Sequence, residues 1–200
     1  AIIQGMSQYV DDIYIVSASP KILNFQIKKL LGKHKIPYKE VFTRKISDFG
    51  SKKKYKIRVI NSLIENEDEV ILIGDNTQED SEIYAEIAKM NPSKSFSIYI
   101  HKVVQKLDTG LRVQSNSTPF FMAFDIAIKE YQVGRMEFSE VSAMAKQIIL
   151  EKNMTTLIPK FAYCPTKFKE FNKLPLGRLT VLALPVRTKI VSYCKLRQKQ

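Results

Sequence analysis

The sequence predicts an α/β fold in which helices cover both faces of a parallel β-sheet. Short, β-branched apolar runs alternate with longer stretches in which apolar residues recur every three or four positions, the helical spacing. Over residues 13–100 the order is strand, helix, possible strand, helix, strand, helix, strand, and such alternation folds as a parallel sheet. The 200 residues can form one hydrophobic core. They include no apolar run of about 18 residues, which argues against a transmembrane helix.

The first strand and helix are predicted from a break at proline. Residues 13–16 read Ile-Tyr-Ile-Val, a β-branched run that ends before Pro20. Residues 20–33 then form an amphipathic helix with Ser19 as its N-cap and Gly32 near its end. The apolar residues that we expect on its buried face are Ile22, Leu23, Phe25, Ile27, Leu30 and Leu31.

The clearest strand of the chain is the apolar run Glu-Val-Ile-Leu-Ile over residues 69–73. The other elements predicted before residue 101 are a possible strand over 38–42, a basic loop over 45–56 that runs into a helix over 55–65, a loop over 74–80, a helix over 81–90 and a strand over 96–100. Together with the first unit, these elements complete the predicted parallel sheet.

A different pattern begins after residue 101. We expect a core domain over residues 1–115 and a helical, basic extension over 116–200 that packs on it. The elements predicted in the extension are a helix over 118–133 that Thr118 and Pro119 open and Gly134 ends, a helix over 137–152, and short strands over 179–184 and 189–193. The two helices form a hairpin.

Two residue types in the extension have alternative interpretations. Phe120, Phe121 and Phe124 recur at helical spacing, which is typical of core packing, and a lipid-binding surface is the alternative. Cys164 and Cys194 form no Cys-x-x-Cys pair, so we expect free thiols in a reducing compartment, with one disulfide as the alternative. Two cysteines and two histidines also disfavour a zinc site.

The net charge of +12 is concentrated in the second half of the chain. Residues 101–200 carry 17 basic and 7 acidic side chains, whereas residues 1–100 carry 15 and 13. The tail from Lys152 holds 11 basic residues and one acidic residue. Such a tail can contact anionic lipid, an acidic partner or nucleic acid, or be a solvated surface. The lack of a recognition helix or RNA motif makes nucleic acid the least favoured partner.

Five polar residues predict a phosphate site, because ligands of parallel α/β sheets bind beyond the carboxyl ends of the strands. Ser17 and Ser19 follow the first strand, Asp75 and Asp80 follow strand 69–73, and Lys56 lies at the start of the helix before it. Hydroxyls at a helix N-terminus bind phosphate, a lysine neutralises it, and carboxylates hold Mg²⁺. In the alternative interpretation these residues have structural roles only: the serine before the helix caps it, Lys56 is a solvated surface residue, and the Gly-Asp pair after strand 69–73 forms a turn.

These residues, in this order, resemble motifs of the haloacid dehalogenase-like (HAD) phosphohydrolases. Residues 13–20 (Ile-Tyr-Ile-Val-Ser-Ala-Ser-Pro) resemble the second motif, Lys56 followed by Ile60 resembles the third, and residues 70–84 resemble the fourth. Within that superfamily, the chain resembles the family of the fungal actin-patch phosphatidate phosphatase and its bacterial relatives. Gln4-Gly5-Met6 and residues 96–101 also resemble segments of that family, and the similarity covers about residues 3–103.

The resemblance implies a HAD-like, Rossmannoid fold and a Mg²⁺-dependent phosphomonoesterase in which an aspartate attacks phosphorus. It implies that Ser17 binds the phosphoryl group with support from Ser19, and that Lys56 stabilises its charge. Asp75 would be the Mg²⁺ ligand, and Asp80 would assist at the metal or orient Lys56. The implied substrate is phosphatidate, a phospholipid, or another phosphomonoester. We expect a cytoplasmic or peripheral membrane protein, and the basic tail is the candidate contact with an anionic membrane.

One departure from the family pattern concerns the nucleophile. The first motif, Asp-x-Asp-x-Thr, occurs nowhere in the 200 residues, and Asp11-Asp12 has the wrong spacing. We therefore expect either that this chain is part of a longer protein or that it is a catalytically inactive relative that binds phosphate or lipid. The strand that carries the first motif would then be missing from the sheet. Asn76 is a smaller departure, because serine is common there.

Overall fold

The computed structural model describes residues 3, 6–45, 50–103 and 113–199. The strands in these ranges are β1 (Tyr14–Pro20), β2 (Glu40–Arg44), β3 (Glu69–Asp75), β4 (Ser95–His101) and β5 (Thr118–Phe120). The α-helices are α1 (Asn24–Lys33), α2 (Lys52–Leu63), α3 (Asp80–Met90), α4 (Ala123–Gln132), α5 (Phe138–Leu150) and α6 (Arg178–Arg197). Residues 46–49 of the predicted loop lie outside the described ranges, as do Gln4 and Gly5.

All strands pair in parallel, which confirms the mixed α/β fold with helices beside parallel sheets. β1 pairs with β2, and β3, β4 and β5 form a second sheet in that order. Within the described ranges no ladder of hydrogen bonds joins the two sheets. Instead, α2 packs beside β1 of the first sheet and beside α3, which packs on the second sheet. A small hydrophobic core lies between these elements. The buried residues of this core are Ile60, Ile64, Val70, Leu72, Ile83, Tyr84, Ile87, Ile98 and Ile100.

The predicted helix over 20–33 is wrong at its start and in its buried face. β1 continues to Pro20, so Ser19 is not an N-cap, and a 3₁₀ turn over Lys21–Leu23 precedes α1. Leu31 is the buried residue of α1, whereas Ile22 in the turn is 83% exposed and Phe25 is 75% exposed. The sheet of β1 and β2 has two strands, which offer too little apolar surface to cover a helix face.

The helix predicted from Thr118 is also wrong at its start. Residues 118–120 form β5, which pairs with β4 in the register Tyr99 to Thr118. Pro119 is tolerated there because β5 lies at the edge of the sheet, where a missing N–H breaks no central ladder. α4 begins five residues later, and Asp125 caps it by accepting hydrogen bonds from the Phe121 and Met122 amides at 3.0 and 3.3 Å.

The two short strands predicted near the C-terminus are wrong, because one helix, α6, covers both segments with Pro185 inside it. Proline in a helix interior costs about 3 kcal/mol. Packing offsets that cost, since α6 lies against α5 and buries at least one residue in each turn. The buried residues are Leu179, Ala183, Val186, Arg187, Ile190, Val191 and Cys194. A spacing of three or four residues is the helical pattern, and the prolines obscured it.

The expectation of free thiols is also wrong. Cys164 and Cys194 form a disulfide with a Cα–Cα distance of 5.3 Å. Both residues are buried in the same core, because α6 carries Cys194 against the segment that contains Cys164. Their separation of 30 residues concealed this proximity in the sequence.

The larger core of the molecule lies in the second half of the chain. Phe120, Phe121 and Phe124 are buried in it, as core packing predicts. Glu130, which is 0% exposed, accepts a hydrogen bond from Tyr99 on β4 and binds Arg135 through both carboxylate oxygens at 2.7 and 2.9 Å. This buried network joins α4 to the sheet. The division between residues 115 and 116 stays a prediction.

None of the helices in the part of the chain that the structure describes is long and apolar enough to span a membrane.

Candidate active site

A cavity of about 480 Å³ opens at the carboxyl ends of β1 and β3. The structure brings all the predicted site residues into this cavity, which are Ser17, Ser19, Lys56, Asp75 and Asp80. The remaining lining residues are Val16, Ala18, Pro20, Arg44, Lys52 and Gln78. The expectation that these elements converge at one edge of the fold is therefore met, although their chemical roles stay predictions.

The centre of the cavity is a buried ion pair between Lys56 and Asp80. The two residues are 9% and 8% exposed, and Lys56 Nζ donates a hydrogen bond to Asp80 Oδ1. Asp80 Oδ2 also accepts the Asp75 backbone N–H at 3.4 Å. Both oxygens of Asp80 are thus engaged by the protein. This arrangement is compatible with the expectation that Asp80 orients Lys56, which stays a prediction.

Gly74 makes the close approach of Asp80 possible. A Cβ at position 74 would lie 2.7 Å from Asp80 Oδ2 and 2.9 Å from the ring of Tyr84. Such distances are far shorter than van der Waals contact, so only glycine leaves room for both side chains. Tyr84 donates a hydrogen bond to the Ile73 carbonyl at 3.2 Å. Burial raises the pKa of Tyr84 far above its usual value, so the hydroxyl stays a neutral donor.

Asp75 lies at the last position of β3, where its carboxylate reaches the cavity. Its Oδ1 accepts hydrogen bonds from the Thr77 backbone N–H, at 2.8 Å, and from the Thr77 hydroxyl. The register of the sheet places Asp75 beside His101 on β4. Burial lowers the pKa of His101, and Asp75 and a hydrogen bond to Phe121 partly oppose that shift.

The end of β1 forms the opposite wall of the cavity. The Ser17 hydroxyl accepts a hydrogen bond from the Ser19 backbone N–H at 3.2 Å. Arg44, at the end of β2, donates from Nε to the Ala18 carbonyl at 2.6 Å and so fixes the backbone between the two serines. This wall adds hydroxyl groups and a guanidinium to the lysine and carboxylates on the other side.

A metal ion could be held here through few protein ligands. Across the described ranges, no three His, Cys, Asp or Glu side chains are grouped so as to hold a metal ion. Mg²⁺ does not need such a group, because it commonly binds one or two carboxylates together with waters and phosphate oxygens. The carboxylate of Asp75 fits that requirement. Asp80 fits it less well, because its oxygens bind Lys56 and the Asp75 amide.

Three residues of the site were missed in the sequence, namely Arg44, Lys52 and Gln78, which line the cavity. Asn76, which the sequence singled out only as a departure from the family pattern, is 3% exposed. The Asn76 side chain accepts the Val103 backbone N–H at 2.8 Å, so it fixes the loop after β3. Arg44 ends the observed strand β2, two residues beyond the end of the strand predicted over 38–42, so the sequence did not place it at the edge with Ser17. No signal in the sequence identified Lys52 or Gln78 either.

A lysine, hydroxyls and carboxylates at the strand ends of a parallel α/β fold are typical of proteins that bind phosphate groups. The family model described as phosphatidate phosphatase APP1, catalytic domain, matches residues 2–102. The chain belongs to this family. No curated protein and no solved structure shows significant similarity to it. Every predicted site residue lies in the matched half, whereas residues 113–199 lie outside it.

Proposed function

We propose that this protein is a Mg²⁺-dependent phosphomonoesterase of the HAD type that acts on a phospholipid phosphate such as phosphatidate. The observation that carries the proposal is the cavity in which the buried Lys56–Asp80 pair lies with Ser17 and Asp75. The family supports the choice of a phospholipid, because its description names phosphatidate.

The phosphoryl group binds between Ser17 and Lys56. The Ser17 hydroxyl donates to one phosphoryl oxygen, and its oxygen keeps the hydrogen bond from the Ser19 amide. Lys56 has three N–H donors, and the bond to Asp80 leaves the others for the phosphoryl oxygens. Because both members of the ion pair are buried, the ammonium group is held in place before the phosphate arrives. Preorganised charge of this kind is the main contribution that proteins make to phosphoryl transfer.

Asp75 would hold Mg²⁺ through its carboxylate, with Asp80 as a secondary candidate. The ion would neutralise charge on the phosphoryl oxygens when it is bound. Thr77 orients the Asp75 carboxylate through its backbone and hydroxyl hydrogen bonds. The side chain therefore presents a carboxyl oxygen to the cavity in a fixed direction.

The nucleophile of this reaction is an aspartate carboxylate. Its oxygen attacks phosphorus and the P–O bond to the alcohol breaks, while the second aspartate of the Asp-x-Asp-x-Thr segment donates a proton to the departing alcohol. Water then hydrolyses the aspartyl phosphate and returns a proton to that second aspartate. No Asp-x-Asp-x-Thr segment occurs in the 200 residues, so the proposal requires that this aspartate come from a segment outside them that enters the space between β1 and β3. In support, β1 and β3 line one cavity but do not pair with each other: β1 pairs with β2, and β3 pairs with β4. The alternative is an inactive module that binds the phosphate without hydrolysing it.

Two measurements on the natural protein separate these alternatives. Intact mass and N-terminal sequencing identify any Asp-x-Asp-x-Thr segment, and release of phosphate from phosphatidate is then measured with Mg²⁺ and with EDTA. We expect Asp75→Asn to lose Mg²⁺ binding and at least 100-fold of the rate while keeping the fold. Asp68→Asn, at the opposite end of β3, is the matched control. Unchanged Mg²⁺ affinity in Asp75→Asn would rule out its role, and phosphate binding without release would favour the inactive module.

The basic tail supports a peripheral location at an anionic membrane only in part. Several of its cations bind the protein instead of facing solvent freely. Arg197 donates to the Pro159 and Ala162 carbonyls at 3.1 and 2.7 Å, and Lys189 donates to the Ile149 carbonyl at 2.6 Å. Arg187 is buried and donates to the Asn172 carbonyl at 2.8 Å. Sedimentation with phosphatidylserine vesicles, at low and high salt, tests the proposed contact.

A further inference from the structure

A second cavity, of about 780 Å³, lies between the ends of β4 and β5, the start of α4, the end of α5 and the turn at residues 154–157. Most of its surface is apolar. The lining residues are His101, Phe120, Phe121, Met122, Ala123, Phe124, Met144, Gln147, Ile148, Leu150, Glu151, Lys152, Thr156 and Leu157. Its volume lies in the range of about 300–1,000 Å³ that is usual for small-molecule sites.

The two cavities open at the same edge of the larger sheet. Asp75 lines the first cavity, His101 lines the second, and the two residues are register partners on the neighbouring strands β3 and β4. Neighbouring strands lie about 4.8 Å apart. The linings of the two cavities therefore come close to each other at these two strand ends. His101 is fixed at this boundary by stacking on Phe120, at 5.0 Å between ring centroids, and by its hydrogen bond to the Phe121 carbonyl at 3.1 Å.

We propose that the second cavity binds the acyl chain of the phospholipid whose phosphate binds in the first. This inference rests on the proposed function, and it assigns chain recognition to the second half of the protein. All lining residues except His101 lie beyond the segment that matches the family. The lining contains the three phenylalanines for which the sequence left core packing and a lipid-binding surface as alternatives, and these residues both pack in the core and line this cavity.

The chemistry of the lining fits an acyl chain better than a rigid ligand. Met122 and Met144 have flexible, polarizable side chains that adapt to a chain with many conformations. Lys102 lies over the Phe121 ring at 5.3 Å, and Lys152 and Glu151 are the charged residues of the lining. Two cations and one carboxylate thus lie beside an apolar surface, which suits an amphiphile that carries negative charge next to its chain.

Binding of alkyl phosphates to the natural protein in EDTA tests the inference without turnover. The series runs from ethyl to octyl phosphate at concentrations below micelle formation, and titration calorimetry gives each Kd. Each methylene that enters an apolar site raises affinity by about fourfold. We expect octyl phosphate to bind at least 100-fold more tightly than ethyl phosphate. Affinity that does not change with chain length would overturn the inference.

A matched pair of variants locates the chain. Ala123→Trp fills the second cavity, and we expect it to weaken octyl phosphate at least 10-fold while leaving ethyl phosphate unchanged. Ala143→Trp makes the same change at an exposed position of α5 that does not line the cavity, and should leave both unchanged. An equal effect of the two variants on octyl phosphate would exclude this site. Retained ethyl phosphate binding in Ala123→Trp shows that the fold is intact.

The same experiments distinguish failure of this inference from failure of the proposed function. If phosphate is released from phosphatidate but affinity is independent of chain length, the inference fails and the function stands. If affinity rises with chain length and Ala123→Trp removes the rise, but no preparation releases phosphate, the acyl site stands and the hydrolase proposal fails.

Discussion

Helices α1 and α4 are both ten residues long, and both have apolar residues at helical spacing, yet the protein buries them very differently. α1 buries one residue, Leu31, whereas α4 buries six. α1 lies beside a sheet of two strands, and α4 packs on β5 and α5 within the larger core. The comparison shows that an amphipathic sequence forms the helix, but the surface available beside it decides how much stability the helix contributes.

The contrast extends to the two halves of the chain. The family-matched half contains the polar cavity and its buried charges, which contribute little net stability because desolvation opposes their attraction. The second half contains the larger core and the disulfide. We therefore expect substitutions in the second half to have the larger effects on the free energy of unfolding, and the following variants test that expectation.

The largest effect is expected from truncating the buried phenylalanine of α4. Phe124 is 1% exposed, so Phe124→Ala leaves a cavity and should lower the free energy of unfolding by about 3–5 kcal/mol. Phe25→Ala, the same change on α1, should alter it by no more than about 0.5 kcal/mol. Urea unfolding of both variants measures the difference. Similar losses in the two would mean that α1 is covered in solution.

Removing the disulfide should have an effect nearly as large. Cys164 and Cys194 close a loop with a sequence separation of 30, and the loop-entropy relation gives about 3–4 kcal/mol. The double variant Cys164→Ala/Cys194→Ala avoids a free thiol. Thermal and urea unfolding should show this loss, and adding reductant to the wild type should reproduce most of it. A loss below about 1 kcal/mol would indicate that packing of α6 alone holds the two segments together.

A smaller effect, but one with opposite signs at two positions, is expected from glycine substitutions in the family-matched half. Gly74→Ala places a Cβ 2.7 Å from Asp80 Oδ2 and should cost about 1–3 kcal/mol as the Lys56 pair shifts. Gly32→Ala meets no atom within 4 Å and lies in α1, so it should stabilise the protein by about 0.5–1 kcal/mol. If both substitutions stabilise, the approach of Asp80 to Gly74 is looser than the structure shows.

Much of the fold could be predicted because the strands of the first half are short, β-branched and bounded by prolines or polar loops. β3 and β4 are found within two residues of their predicted ends. The site could be predicted for the same reason, since parallel strands bring residues such as Ser17 and Asp75 to one edge. Arg44 shows the limit of that reasoning, because its hydrogen bond to the Ala18 carbonyl depends on the pairing of β1 with β2.

The errors lie where tertiary contacts overrule a local signal. Pro185 predicted a break, yet the apolar face of α6 is buried deeply enough to carry the helix through it. Pro119 predicted a helix start, yet the edge of β4 was available and Thr118 pairs there instead. The disulfide could not be predicted, because it depends on the position of α6 against a segment without regular structure. The start of β5 and the disulfide are not encoded within a window of neighbouring residues, whereas the helical spacing of α6 is present locally and Pro185 obscures it.

The smallest expected effect concerns His101, where the two halves of the protein meet. Burial lowers its pKa below the usual value of 6.5, so the unfolded chain binds more protons than the folded protein at pH values just below 6.5. The free energy of unfolding should therefore fall as the pH decreases through that value. His101→Gln keeps a donor for the Phe121 carbonyl but does not titrate. The difference between the two proteins at each pH removes the contributions of other titrating groups, including Asp125, whose pKa burial raises.

We expect the free energy of unfolding to decrease less in the variant between pH 7.5 and 5, because protonation of the wild-type ring would weaken its contacts with the second half of the chain. If the free energy of unfolding has the same pH dependence in both proteins, then His101 is accessible to water in solution and is not buried as the structure shows.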